Sequence, residues 1–147
     1  MLIDITAQTD AEISTEWIRK LTETVLERER HSPEHLVSII FVDDAFITDL
    51  NRAYFQKSHA TDVISFVLEN GPFPGEKESA WGEVYISVER ARQQAEDYQV
   101  TYQEELARLI VHGLLHLLGY EDGSPSEKAE MTRMENLYLA SLQSHTS

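Results

Sequence analysis

The sequence contains no cysteine. Disulfide frameworks and thiolate metal sites are therefore both excluded, and any bound metal must be held by nitrogen and oxygen. Positive charge is scarce: 12 Lys and Arg stand against 26 Asp and Glu, leaving a net charge of −14. Such a chain repels nucleic acid unless basic groups cluster locally or a bound cation supplies charge. This counts against an RNA or DNA partner without ruling one out, because a metal site creates its own positive focus. No stretch approaches the ~20 apolar residues of a membrane span. The opening MLIDITAQTDAEIS carries acids where a signal peptide carries a basic and then an apolar region, so a soluble cytoplasmic protein is expected. Internal repeats, low-complexity tracts and linkers rich in Pro, Gly or Ser are also lacking. The 147 residues read as one domain, 1–147, long enough to bury a substantial core.

What is present alternates between strand and helix signals. LIDI at 2–5 alternates as an edge strand does, and LVSIIFV at 36–42 is a β-branched run suited to a central strand. Between them Ile13, Trp17, Leu21 and Val25 recur every four residues and mark one face of a helix over about 10–29. Asp43 or Asp44 can cap a helix carrying Phe46, Ile47, Leu50 and Tyr54 on one side. VISFV at 63–67 reads as a third strand, GPFPGEKESA at 71–80 as a loop, and WGEVYISV at 81–88 as a fourth strand leading into a short helix. Thr101 with Glu104 forms a capping box before YQEELARLIVHGLLHLL, a helix apolar nearly all round in its second half. Ser124, Pro125 and Glu127 start the last helix, with Met131, Met134, Leu137, Tyr138 and Leu142 predicted inward. The pattern predicts an α+β domain: a four-stranded mixed sheet packed by about five helices.

One stretch asks for more than packing. In HGLLHLLGYED, residues 112–122, two imidazoles interrupt a leucine run that belongs in a core. His112 and His116 are four residues apart, so they share one helix face and can converge on one point. Gly119 is placed to end that helix in the left-handed conformation, after which the chain can return Asp122 or Glu121 to the same point. Three nitrogen and oxygen ligands with a fourth position open is the arrangement of catalytic zinc. A lone buried histidine is usually a satisfied core residue; two on one face, followed by Gly and an acid, favour a metal on a buried helix. The spacing resembles that of H-E-x-x-H-x-x-G-x-x-H/D metalloproteases, but Gly113 stands where those enzymes have their Glu base.

HGLLHLLGYED also resembles the signature H-G-x-L-H-L-x-G-Y-D-H of the YbeY family, zinc-dependent endoribonucleases of bacterial rRNA maturation. LNRAYFQKSHATDVISF at 50–66 is similar to that family's L-N-x-x-Y-R-x-K-D-x-P-T-D-V-L-S-F, and GEVYIS is similar to its G-D-I-x-I-S strand. The resemblance implies one zinc ion, with His112 and His116 as two of its ligands. Asp122 falls where the family has a third ligand, a histidine, and Glu121 falls on the preceding Asp. The family's Arg after the Tyr is thought to contact RNA phosphate; it is Phe55 here, and the family's Asp and Pro are Ser58 and Ala60. Lys57 and His59 remain as the nearby cationic or titratable groups expected to take its catalytic role.

The remaining positions divide between function and framework. Asn51 and Tyr54 suit substrate binding or, equally, covering a helix end. Thr61 and Asp62 head a strand as turn and cleft-shaping groups, and Ser65 lines the cleft or sits in the sheet; Thr61 and Ser65 join Asn51 and Tyr54 as candidate substrate-binding residues. Arg19, Lys20, Arg28 and Arg30 interleave with Glu16, Glu23, Glu27 and Glu29 as a solvated face. The expected function is a zinc-dependent endoribonuclease specific for single-stranded RNA, acting in rRNA maturation and ribosome quality control at the small ribosomal subunit. One rival is a ribosome-associated zinc protein with weak or lost catalysis. The other is a small metallopeptidase using Glu83 as its base.

Overall fold

The computed structural model describes residues 2–9, 13–55, 61–68 and 81–146. Along the chain it forms β1 (Ile3–Ala7), α1 (Thr15–Arg28), β2 (Val37–Val42), α2 (Asp44–Phe55) and β3 (Val63–Val67). β4 (Gly82–Ser87), α3 (Val88–Tyr98), α4 (Tyr102–Leu117) and α5 (Pro125–Thr146) complete it. The four strands make one sheet in the order β1-β2-β4-β3. β1, β2 and β4 run parallel, and β3 pairs antiparallel to β4 in the register Ser65 opposite Val84. This is the α+β mixed sheet expected from the pattern. The predicted loop at 71–80, together with Lys57, Ser58, His59 and Ala60, lies outside the described residues.

Period-2 alternation sorts the strand side chains onto two faces. Val37, Ile39, Phe41, Val84 and Ile86 meet α1, α3, α4 and α5 in the larger core, which also holds Tyr138 and Met131. Ile40, Val42 and Ile64 point the other way and pack with Ile47 of α2, flanked by Leu50, Phe66 and Tyr85. β2 is buried at every position, as a strand covered on both faces must be. Leu137 departs from the expected inward set: it is 39% exposed, because α5 turns Leu139 inward beside the expected Met134 and Tyr138. Among the described residues no helix is long and apolar enough to cross a membrane.

The helix ends are set by local chemistry. The Phe46 amide donates to Asp43 Oδ1 at 2.8 Å, which makes Asp43 the cap of α2. The Glu104 amide donates to Thr101 Oγ1 at 3.0 Å. At α5 the box is reciprocal: Glu127 N donates to Ser124 Oγ at 3.2 Å, and Ser124 N donates to Glu127 Oε1 at 3.0 Å. Gly119 has φ +99° and closes α4, with its amide on the His116 carbonyl and the Tyr120 amide on the Leu115 carbonyl.

α4 lies unusually close to the sheet. A Cβ at Gly113 would stand 2.5 Å from Val84 Cγ1 and 3.0 Å from Val63 Cγ2, both stiff β-branched side chains. Ser65 Oγ donates to the Gly113 carbonyl at 2.8 Å across the same contact. Gly113→Ala is therefore expected to cost about 1–3 kcal/mol by overpacking. Urea unfolding checks this, and a change indistinguishable from zero would mean the sheet gives way there.

Near its start α4 also buries a carboxyl, Glu105, 4% exposed. Burial pushes its pKa up to about 7; Arg108 pulls it down, and Asp62 and Glu135 push it up again. The folded protein therefore holds a proton that the unfolded chain, with an ordinary value of 4.5, gives up. The stability tied to that proton is present below pH 4.5 and is lost as pH rises through about 7. Glu105→Gln should shrink the fall in unfolding free energy between about pH 5 and about pH 8 by roughly 1–3 kcal/mol. An unchanged pH slope would refute this account of Glu105.

Candidate metal centre

His112 and His116 project from the second half of α4 toward β3, and the turn at Gly119 brings Asp122 back to them. Ligating atoms from these three residues all lie within 4.8 Å of one another. His112 Nε2 and His116 Nε2 are 3.1 Å apart. Asp122 Oδ2 stands 3.6 Å from the first and 3.4 Å from the second. Glu121 is exposed and lines the same cleft but does not join this group, so the acid brought to the histidines is Asp122.

The other ring nitrogens decide what can sit between them. His116 Nδ1 is 3.0 Å from the Tyr120 carbonyl oxygen, which can only accept, so Nδ1 carries the proton. His112 Nδ1 is 2.7 Å from Glu135 Oε2, a carboxylate ion-paired with Arg108 at 2.9 Å. Burial pulls the His112 pKa down, but the Glu135 hydrogen bond and charge, with Asp122 behind them, outweigh it and raise the pKa above its usual value. With each Nδ1 turned to an acceptor of its own, the two Nε2 atoms face each other and a carboxylate oxygen. Three acceptors without a donor repel unless a cation lies among them. A proton on one ring serves a single contact; a metal ion serves all three. Tetrahedral coordination with legs of about 2.0–2.2 Å puts ligand atoms about 3.3–3.5 Å apart, close to the separations found. The donor set fits zinc and could hold a metal ion.

Two of these supports were not legible from the motif. Glu135 interrupts the apolar stripe of α5 between Met134 and Tyr138, and an acid in an inward stripe is its one sequence signal. Glu29, expected on a solvated face, accepts from Tyr120 Oη at 2.5 Å and Tyr138 Oη at 3.1 Å. The Glu29 hydrogen bond, then burial, pushes the Tyr120 phenol up to about 12, and that bond ties the residue whose carbonyl faces His116 to the end of α1. Nothing in the local sequence links residue 29 to residue 120.

The cleft beside the group has a volume of about 710 Å³. Asn51, Thr61, Asp62 and Ser65 line it, with Ser65 tied to α4 as described. Asp62 is held by Gln94 Nε2 at 3.3 Å and by its own carbonyl accepting from the Ser87 amide at 3.0 Å. Tyr54 does not line the cleft: it is 66% exposed and meets the Phe66 ring edge-on at 5.0 Å. The Phe55 side chain, Lys57 and His59 lie outside the described residues. Among the described lining residues Asp62, Glu121 and Asp122 carry negative charge and none is Lys or Arg.

The geometry disfavours the peptidase alternative. Gly113 has no room for the carboxylate base of the similar protease motif. Glu83, the substitute base, is paired with Phe66 in register and sits beside Tyr85 on the α2 face, one residue out of phase with Val84, which meets α4. The sheet separates Glu83 from the histidines.

Comparison with known proteins agrees with the motif and the fold. A family model described as Endoribonuclease YbeY matches residues 3–143. The chain is similar to the Endoribonuclease YbeY of Chloroherpeton thalassium, 38% identical over 145 residues, covering 99% of this chain and 98% of that protein. The protein of the same name from Lysinibacillus sphaericus is 41% identical over 142 residues, covering 89% and 88%. A solution structure of a Thermotoga maritima protein superposes with TM-score 0.64 at 23% identity, covering 98% of this chain and 91% of that one, and shows the shared fold. With the family model spanning nearly all of it and relatives well above a third identical, this chain belongs to the YbeY family.

Proposed function

We propose that this protein is a zinc-dependent endoribonuclease that cleaves single-stranded RNA in the cytoplasm, serving rRNA maturation and ribosome quality control at the small subunit. The observation that carries the reading is the convergence of His112 Nε2, His116 Nε2 and Asp122 Oδ2 beside an open cleft, in a member of a family named for this activity. When bound, zinc would lower the pKa of a coordinated water and polarise a phosphodiester oxygen. His112 and His116 would hold it through neutral imidazoles, each fixed in tautomer by the partner at Nδ1. Asp122 adds one negative charge, where the family has a neutral histidine.

Phosphate must still be drawn into a cleft whose described lining is acidic. The metal and the cations of the 56–60 segment, Lys57 and His59, are the sources of attraction in this reading, with Lys57 taking the place of the family Arg in stabilising developing charge. Asn51, Thr61 and Ser65, on the cleft wall, suit contacts to sugar or base. A point charge on Lys57 cannot reproduce the bidentate grip of a guanidinium, so cleavage is expected to be weak and sensitive to salt.

Metal content by mass spectrometry, on protein purified without chelators, tests the centre directly. One zinc per chain is expected in the wild type and none in His116→Ala. Asp122→Ala should cost far more metal affinity than Glu121→Ala; the reverse order would put the third ligand at 121. Asp122→His should keep the metal and raise RNA cleavage at neutral pH.

The Phe55 position separates two roles. Phe55→Arg should raise kcat/KM on a single-stranded RNA by about tenfold, the ~1.4 kcal/mol of one modest charge-assisted contact. Lys57→Ala should lower the rate with zinc still bound. If Phe55 is instead a platform on which an unpaired base stacks, Arg gains little and Phe55→Ala weakens single-strand binding. No effect of either variant on binding or cleavage would remove residue 55 from the RNA site. No RNA cleavage by the zinc-loaded wild type would leave a zinc protein with lost catalysis.

A further inference from the structure

Glu135 is the strangest residue of the larger core. Its neighbours on the inward stripe of α5 are Met131, Met134, Tyr138 and Leu139, and its own side chain is only 8% exposed. A buried ion pair is seldom a net gain in stability over well-packed apolar residues in place of both partners, because desolvation consumes the attraction. Both of its oxygens are nevertheless assigned. Oε1 accepts from Arg108 Nη1 at 2.9 Å, and Oε2 faces His112 Nδ1 at 2.7 Å. Arg108 is itself fixed, with Nη2 donating to Asn136 Oδ1 at 2.8 Å. Arg108, four residues before His112 on α4, and Glu135 on α5 thus form a brace between two helices that ends on one imidazole.

From this we infer that Glu135, braced by Arg108, is a positioning residue for the metal centre: it sets the tautomer and ring angle of His112 so that Nε2 is offered to the ion. The inference rests on the metal reading above and goes beyond it, since neither residue belongs to the three that meet the cation. The two rings are 4.6 Å apart at an interplanar angle of 76°, so His112 must be held in one rotation for its Nε2 to face that of His116. The Tyr120 carbonyl does the same for His116, but from the backbone, where no substitution can remove the oxygen. Glu135 is the side-chain half of the arrangement, and therefore the half that mutation can test.

The test separates metal affinity from fold stability. Glu135→Met fills the site with a residue the stripe already uses, and Glu135→Gln keeps the shape and one acceptor oxygen. Zinc affinity is measured by competition with a chromophoric chelator, cobalt(II) binding by its visible absorption, and the melting temperature in excess chelator. Zinc affinity should fall roughly 10–100-fold in Glu135→Met and less in Glu135→Gln. The cobalt(II) bands should shift, while the metal-free melting temperature reports separately what loss of the Arg108 pair costs the fold. Zinc affinity within about threefold of wild type in both variants would overturn the assignment, since outer-shell partners of this kind carry at least tenfold. So would a Met variant whose metal-free form is destabilised while its zinc affinity holds, because that is a structural role. If Met fails to fold, Gln alone decides by the same measure. A wild type that takes up no zinc fails in a different arm, and it removes the metal reading along with this one.

Discussion

The contact between α4 and the sheet at Gly113 is the constraint on which the rest is built. The helix that carries the candidate metal ligands shares its cleft wall with β3. Here the approach is so tight that a single methyl would meet Val84 at 2.5 Å. Ser65 locks the contact by donating to the Gly113 carbonyl, so β3 and α4 move together. His112 precedes that glycine and His116 follows it by three residues, which places both imidazoles at the mouth formed with β3. The same close packing denies position 113 a side chain, and with it the carboxylate base that a protease of similar spacing would need. One steric fact thus shapes the site and narrows its chemistry.

The centre is supported from three helices, and each support answers the same electrostatic problem. Imidazoles turned Nε2 to Nε2 are unfavourable neighbours without a cation, so the rings must be held against their mutual repulsion. α4 supplies the rings, α5 supplies Glu135 to one Nδ1, and the turn after Gly119 supplies the Tyr120 carbonyl to the other. α1 enters through Glu29, which takes the hydroxyls of Tyr120 and Tyr138 and ties the turn to the larger core. An ordinary core would satisfy its polar groups pairwise and leave none converging. Here the satisfied atoms are the outer ones, and the inner three are left facing a common point.

How much of this was legible in the sequence follows from the range of each interaction. The element order, the capping boxes at Thr101 and Ser124, the Gly119 turn and the pairing of His112 with His116 are all encoded within about five residues, and local rules reach that far. Glu29 stands 91 positions from Tyr120, and Glu135 stands 23 from His112, so neither partnership has a local trace. Met134 and Tyr138 face inward as the pattern predicts, but Leu139 is buried where Leu137 was expected, because the rotation of α5 is set by its packing on α1 and α4. Glu83 shows the limit of alternation. Period 2 states that Glu83 and Val84 face opposite ways, but only the α4 contact at Val84 settles which of them sees the histidines.

Charge brings the site and the whole chain into one argument. The protein carries −14, and the described cleft wall adds Asp62, Glu121 and Asp122 with no compensating Lys or Arg. Arg108, the one cation near the histidines in the described network, is committed to Glu135 and Asn136 and stands behind the ligands rather than before them. A polyanion has little reason to approach such a surface except where a multivalent cation breaks the field. Replacing a neutral imidazole by Asp122 lowers the net charge of the centre by one, and Phe55 replaces the family's permanent guanidinium by an uncharged ring. Under the proposed function both departures push the same way: they would make attraction of phosphate depend more heavily on the metal itself. Metal occupancy would then govern substrate capture as well as chemistry, so partial loss of metal should depress RNA binding and turnover together.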